Sequence, residues 1–148
     1  MKTILLLFLL IIANYAAAVE INEIMYNPAG DDTISEWIEI YNPENLDISN
    51  WTIGDLNSND TLILVNLSNS QFAIITENLS LFSNSNASVY YAGSTIGNGL
   101  GNTGDTIFLY DANKTLVDFV SYNSTFANGN NYTIEKQNGS EKSLIVNR

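Results

Sequence analysis

The chain has 148 residues and a formal charge of -11, from 16 acidic against 5 basic side chains. That balance excludes a surface that tracks nucleic-acid phosphates and disfavours an anionic membrane surface as partner. With no Cys and no His, disulfides, thiol chemistry, Ser-His triads and the usual zinc or copper ligand sets are excluded too. Catalysis would fall to carboxylates, Lys, Tyr or hydroxyls, and a metal would need oxygen ligands, as calcium does.

The first residues read as an export signal. Lys2 supplies a positive start, Ile4 to Ile12 is unbroken apolar sequence, and Ala16 and Ala18 stand in the small-x-small arrangement that a signal peptidase accepts. A helix from Ile4 through Ala18 is roughly 22 Å long, short of the bilayer core of about 30 Å. Residues 1–18 are therefore expected to be a signal peptide. Residues 19–148 are expected to form one domain, with no linker and no membrane span in the mature chain.

After Val19 the pattern is short strands separated by turn chemistry, without a helical period. Expected strands are Glu20–Tyr26, Ser35–Tyr41, Ile48–Ile53, a central Thr61–Val65, and Gln71–Thr76. Asn78 to Ala87 reads as loop, Val89–Ala92 as a short strand, and Ile96 to Gly104 as a Gly/Asn loop. Asp105–Tyr110 and Thr115–Tyr122 form a hairpin across "DANK", with Asn113 expected in the left-handed conformation. Tyr132–Lys136 and Ser143–Val146 close the chain. Many short strands with frequent turns describe a β-sandwich. Gly99-Leu100-Gly101-Asn102-Thr103-Gly104 fits G-x-G-x-x-G, but a strand follows it where a dinucleotide site needs a helix. Its glycines are expected to serve positive-φ turns.

Asn-x-Ser/Thr occurs at Asn50, Asn59, Asn66, Asn78, Asn86, Asn113, Asn123, Asn131 and Asn138. Random order would give about four such sites, so these nine are candidate glycosylation sites of an exported chain.

Glu23 and Glu39 alternate with bulky apolar residues before two copies of Tyr-Asn-Pro, which leaves three readings. In the structural one, both carboxylates secure the Tyr-Asn-Pro turns by accepting backbone N–H groups or the hydroxyls of Tyr26 and Tyr41. In the metal reading, Asp31 and Asp32 join Glu23, Glu36 or Asp55 around calcium. In the catalytic reading, two glutamates flank a glycosidic bond. Trp51, Tyr90, Tyr91 and Tyr122 are candidates for aromatic contact with sugars or a protein. The alternative is core or cross-strand packing, favoured for Trp37 and Trp51.

"INEIMYNPAGDD", "EWIEIYNPENLDISNW" and "GDTIFLYDANKTLVDFVSY", in that order, resemble the lamin tail domain family over about Val19 to Lys136. The chain looks like an exported, prokaryotic-type, single-domain member. The resemblance implies an all-β, immunoglobulin-like β-sandwich. It also implies an interaction module of the kind known from nuclear lamins, with no catalytic residues to carry over. One detail departs from the family pattern: Asn113 stands where Gly is usual in the hairpin. The chromatin associations of the family do not transfer to so acidic a chain.

The expected function is a non-catalytic secreted or cell-surface module, docking through strand edges or loop ends to a protein or a polymer of the cell envelope. A calcium-dependent carbohydrate-binding module is the alternative, and a carboxylate hydrolase a third. No cofactor other than calcium enters these expectations.

Overall fold

A computed structural model describes residues 18–30, 32–123, 125, 131–137 and 140–147. Its strands are β1 (Glu20–Met25), β2 (Trp37–Tyr41), β3 (Thr52–Gly54), β4 (Asn59–Thr61), β5 (Ile63–Asn66) and β6 (Phe72–Thr76). They continue as β7 (Ser88–Tyr91), β8 (Gly104–Tyr110), β9 (Leu116–Asn123), β10 (Tyr132–Gln137) and β11 (Ser140–Asn147). They form a seven-stranded sheet in the order β11-β10-β1-β2-β6-β7-β5 and a four-stranded sheet in the order β4-β3-β8-β9. This is an immunoglobulin-like β-sandwich. Neighbouring strands run antiparallel except β6 and β7, which are parallel. Their crossover passes through a 3-10 turn at Leu79–Phe82, capped by the Asn78 side chain.

Alternation decides which residues fill the space between the sheets. Ile38 and Ile40 of β2, Ala73 and Ile75 of β6, and Tyr90 of β7 face inward from the larger sheet. Ile53, Ile107 and Leu109 meet them from the smaller one. Each fully buried aliphatic side chain contributes about 1.5–3 kcal/mol by leaving water. The Tyr90 hydroxyl keeps its polarity satisfied inside this core. It accepts from the Ile48 N–H at 3.1 Å and lies 3.3 Å from the Asp47 carboxylate.

Three expectations about elements need correction. Thr61–Val65 is not a central strand. The chain crosses between sheets at Leu62, and the two halves are the outer strands of different sheets. Only Leu62 is fully buried, so the apolar run reflects an open border rather than a buried centre. The expected strand Ile48–Ile53 begins only at Thr52, because Asn50 adopts φ 64 in a turn. In the β8–β9 hairpin Lys114 rather than Asn113 takes the left-handed conformation, φ 67. Asp111 sets that geometry, since its Oδ1 accepts the N–H groups of both Asn113 and Thr115 at 2.8 Å. The other expected strands lie within two or three residues of their observed bounds.

Candidate functional site

The Gly/Asn loop before β8 is tied to the rest of the molecule by carboxylates. The Gly97 N–H donates to Asp60 Oδ2 at 2.6 Å, Leu100 N–H to Glu36 Oε2 at 3.0 Å, and Gly101 N–H to Asp105 Oδ2 at 3.1 Å. Asn102 donates its side-chain amide to Asp32 Oδ2 at 2.6 Å. Positive φ at Gly97 and Gly99 turns successive N–H groups toward these acceptors. The glycine run that resembles a phosphate cradle thus donates to carboxyl groups of its own chain. That answers its chance match to a dinucleotide motif.

Glu36 is the most perturbed of these acids. Burial pushes its carboxyl up to about 8 against the pull of the Leu100 N–H, and the charges of Glu77, Asp32 and Asp105 add to the rise. Glu77 in turn accepts the Glu36 backbone N–H at 3.2 Å. Tyr122 lies in the same field. Burial raises its hydroxyl, and Asp105 and Glu36 raise it further, while its ring packs 4.7 Å from that of Tyr26. Near neutral pH the Glu36 carboxyl is therefore largely a neutral acid that accepts a backbone hydrogen bond.

The calcium candidates do not converge. Asp31 lies outside the described residues. Asp55 is used within its own turn, where its Oδ1 accepts from Asn57 and Ser58 at 2.6 and 2.7 Å. Asp32 and Glu36 hold the glycine loop, and Glu23 lies within β1. Among the described residues no group of three or more carboxylates is placed to hold a metal ion.

Glu23 and Glu39 are cross-strand neighbours, with Glu135 of β10 in register on the other side of Glu23. Glu39 Oε1 accepts from the Asn22 side chain at 2.8 Å. In the second Tyr-Asn-Pro turn the Asn42 amide donates to the Leu46 carbonyl at 2.8 Å and accepts the Leu46 N–H at 3.0 Å. An amide closes the loop in both directions, whereas a carboxylate can only accept. With Glu23 only 1 % exposed, a sugar chain in water does not reach both glutamates, and the geometry offers the catalytic reading no support.

The aromatic candidates divide. Tyr90 and Tyr122 are buried in the core and present no face to a ligand. Trp51 packs against that core, and Trp37 meets Phe82 edge to face at 5.9 Å. Tyr91 is half-buried on β7. A further aromatic group lies on the outer face of the four-stranded sheet: the exposed Phe119 of β9 beside the half-buried Phe108 and Tyr110 of β8. Phe108 pairs in register with Phe119, their rings are 6.1 Å apart, and Tyr110 follows at 6.2 Å from Phe108. Phe119 is 54 % exposed. The signal for this strip was present in the period-2 alternation of "TIFLY", in which Ile107 and Leu109 take the core side and Phe108 and Tyr110 the other.

Asn50, Asn59, Asn66, Asn86, Asn113, Asn123 and Asn131 are exposed. Asn78 differs, since its amide nitrogen is held by the Ile34 carbonyl at 2.9 Å and its oxygen caps the 3-10 turn. Asn138 lies outside the described residues, as does the apolar stretch up to residue 17. Among the described residues no helix is long and apolar enough to cross a membrane.

Comparison with known proteins agrees with this architecture. Neither curated proteins nor solved structures give a match. The family model described as Lamin Tail Domain matches residues 13–124, which takes in the sheet pairings β1–β2, β2–β6 and β8–β9 and the carboxylate-held loop. The chain belongs to the lamin tail domain family, a family of non-enzymatic, immunoglobulin-like modules.

Proposed function

We propose that the chain is exported, loses residues 1–18, and works at the cell surface or outside the cell as a non-catalytic docking module. Its partner is a protein or a polymer of the cell envelope. The observation that carries this reading is the strip of Tyr110, Phe108 and Phe119 on the outer face of the four-stranded sheet. An exposed Phe119 backed by the half-buried rings of Phe108 and Tyr110 gives this sheet face an aromatic anchor for a contact. Aromatic anchors of this kind dominate binding energy, at about 2 kcal/mol or more each when truncated, or about thirtyfold in affinity.

The test uses the exported chain recovered from culture. Mass analysis should place its first residue at Val19. Binding of the labelled protein to intact cells and isolated envelopes should saturate, and Phe108→Ser with Phe119→Ser should weaken it more than tenfold. Undiminished binding by the double variant removes the strip from the docking surface.

The same strip supports a second reading, a saccharide partner stacked on the rings. Competition by soluble envelope polysaccharide separates the two, and its sensitivity to EDTA reports whether calcium takes part.

A further inference from the structure

Among the described residues, the run from Asn59 to Asn66 forms an open border on both sheets at once. β4 ends the four-stranded sheet and β5 ends the seven-stranded one. An open strand offers unpaired N–H and C=O groups to a second copy of the chain, and proteins ordinarily blunt such strands with charge, proline or a bulge. Here a register shift between Leu64 and Asn66 interrupts the ladder, but no charge reinforces it. Ile63, Val65 and Leu67 are 59, 49 and 55 % exposed. No residue from Thr61 to Thr76 is charged. The nearest acid, Asp60, is turned onto the Gly97 N–H.

The border carries glycosylation sequons instead. Asn59 on β4 and Asn66 on β5 are both exposed and both open an Asn-x-Ser/Thr sequence. Asn50, also exposed, is bound to the same run by its N–H, which donates to the Leu62 carbonyl at 3.0 Å. We propose that N-linked glycans on Asn50, Asn59 and Asn66 guard this border, replacing the missing charges and preventing β4 and β5 from pairing with a second copy of the chain. The proposal rests on the reading of the chain as an exported, N-glycosylated protein. A pairing strand must lie about 4.8 Å from β5, in the space beside Asn66 that a bulky, hydrated sugar occupies.

The full chain, expressed in an N-glycosylating secretory host, is mapped for glycan occupancy and sized by light scattering at micromolar concentration. The glycosylated protein should be monomeric. Asn50→Gln, Asn59→Gln and Asn66→Gln together should convert it to dimers or larger species, whereas Asn113→Gln, Asn123→Gln and Asn131→Gln together should not. Adding Val65→Lys to the first triple variant should restore the monomer, which separates edge pairing from misfolding. Removing the same sequons through Thr52→Ala, Thr61→Ala and Ser68→Ala checks that the sugar, not the asparagine, is responsible. If the three sites carry glycan and the triple variant stays monomeric, the guard role is overturned while the glycoprotein reading stands. An exported chain without glycan at any sequon overturns both.

Discussion

The two borders of the sandwich are built from opposite materials. On the β9 side, charge closes the fold. Asp118 of β9 reaches across to the other sheet, where its Oδ2 accepts the Ile21 N–H at 2.8 Å. Lys136 of β10 stands 2.7 Å from Glu20 and 3.5 Å from the same Asp118. On the β4–β5 side no charge is offered outward between Thr61 and Thr76, and exposed sequon asparagines stand there instead. The difference shows how a chain with only 5 basic residues manages its acids. Few can form ion pairs, so Glu36, Asp55, Asp60, Asp105, Asp111 and Asp118 accept backbone N–H groups. Carboxylates therefore collect where loops and sheets must be joined, and the acid of the open border, Asp60, is turned onto the Gly97 N–H rather than outward.

The largest effect is expected where this use of acids is most extreme. The Glu36 carboxyl is raised from 4.5 to about 8 in the fold, first by burial and then by Glu77, Asp32 and Asp105. The folded protein thus holds this proton more tightly than the unfolded chain does. The contribution is complete below pH 4.5, declines as pH rises, and is lost by about pH 8, above which the fold contains a buried anion. A shift of this size corresponds to at most about 5 kcal/mol. Glu36→Gln keeps an acceptor for the Leu100 N–H but cannot ionise. Thermal melts should show the variant close to wild type near pH 5 and several degrees more stable above pH 8. Stability curves that run parallel across this range would show that Glu36 is not a buried titrating group.

The next effect tests the β4 border. A Cβ on Gly54 would fall 2.6 Å from the Asn59 Cα, against backbone that cannot swing aside. Gly54→Ala should therefore push β4 away from β3 and destabilise the domain by about 3 kcal/mol in denaturant unfolding. Hydrogen exchange should rise first at the β3–β4 pairing, in which Thr52 opposes Thr61. Unchanged protection there would mean that β4 is not fixed by this close approach.

Much of this contrast was legible in the sequence, for physical reasons that also mark its limits. Period-2 alternation in "WIEIY" and "TIFLY" locates strands because one face of each is buried, and the "DANK" hairpin follows from turn chemistry. Thr61–Val65 misled because an apolar run reads the same at the centre of a sheet and on a border that changes sheets. The sequons at Asn59 and Asn66 gain meaning only when topology places both on that border. The latches are long-range in the same way. Glu36 and Leu100 are 64 positions apart, and no local pattern announces that a glycine run will find its acceptors in its own chain. Asn42 shows the reverse limit: its proline neighbour marks the turn, but nothing local shows that its amide will bridge both ways to Leu46.

The charged border yields the smaller effects, in two grades. Asp118→Ala leaves the buried Ile21 N–H without its acceptor, which should cost about 2 kcal/mol. Asp118→Asn keeps an acceptor and should cost under about 1 kcal/mol, so the pair measures hydrogen bond against charge. Lys136→Met tests the charge alone. Burial opposes the Lys136 charge, but the Glu20 hydrogen bond and the nearby Asp118 outweigh that and hold its ammonium above the usual lysine range. The group remains partly open to water, with 30 % of its side chain exposed and 37 % of that of Glu20. Screening therefore limits the Lys136–Glu20 coupling to about 0.5 kcal/mol in a double-mutant cycle. That coupling should shrink in 1 M salt, where the screening length is about 3 Å, while the cost of Asp118→Ala should change little, since the Ile21 N–H is neutral and buried. If salt reduces both equally, the β9 border is held by charge attraction in general. If it reduces only the Lys136 term, the border is held by the one backbone hydrogen bond, and the acids of this protein act there, as in the glycine loop, chiefly as acceptors.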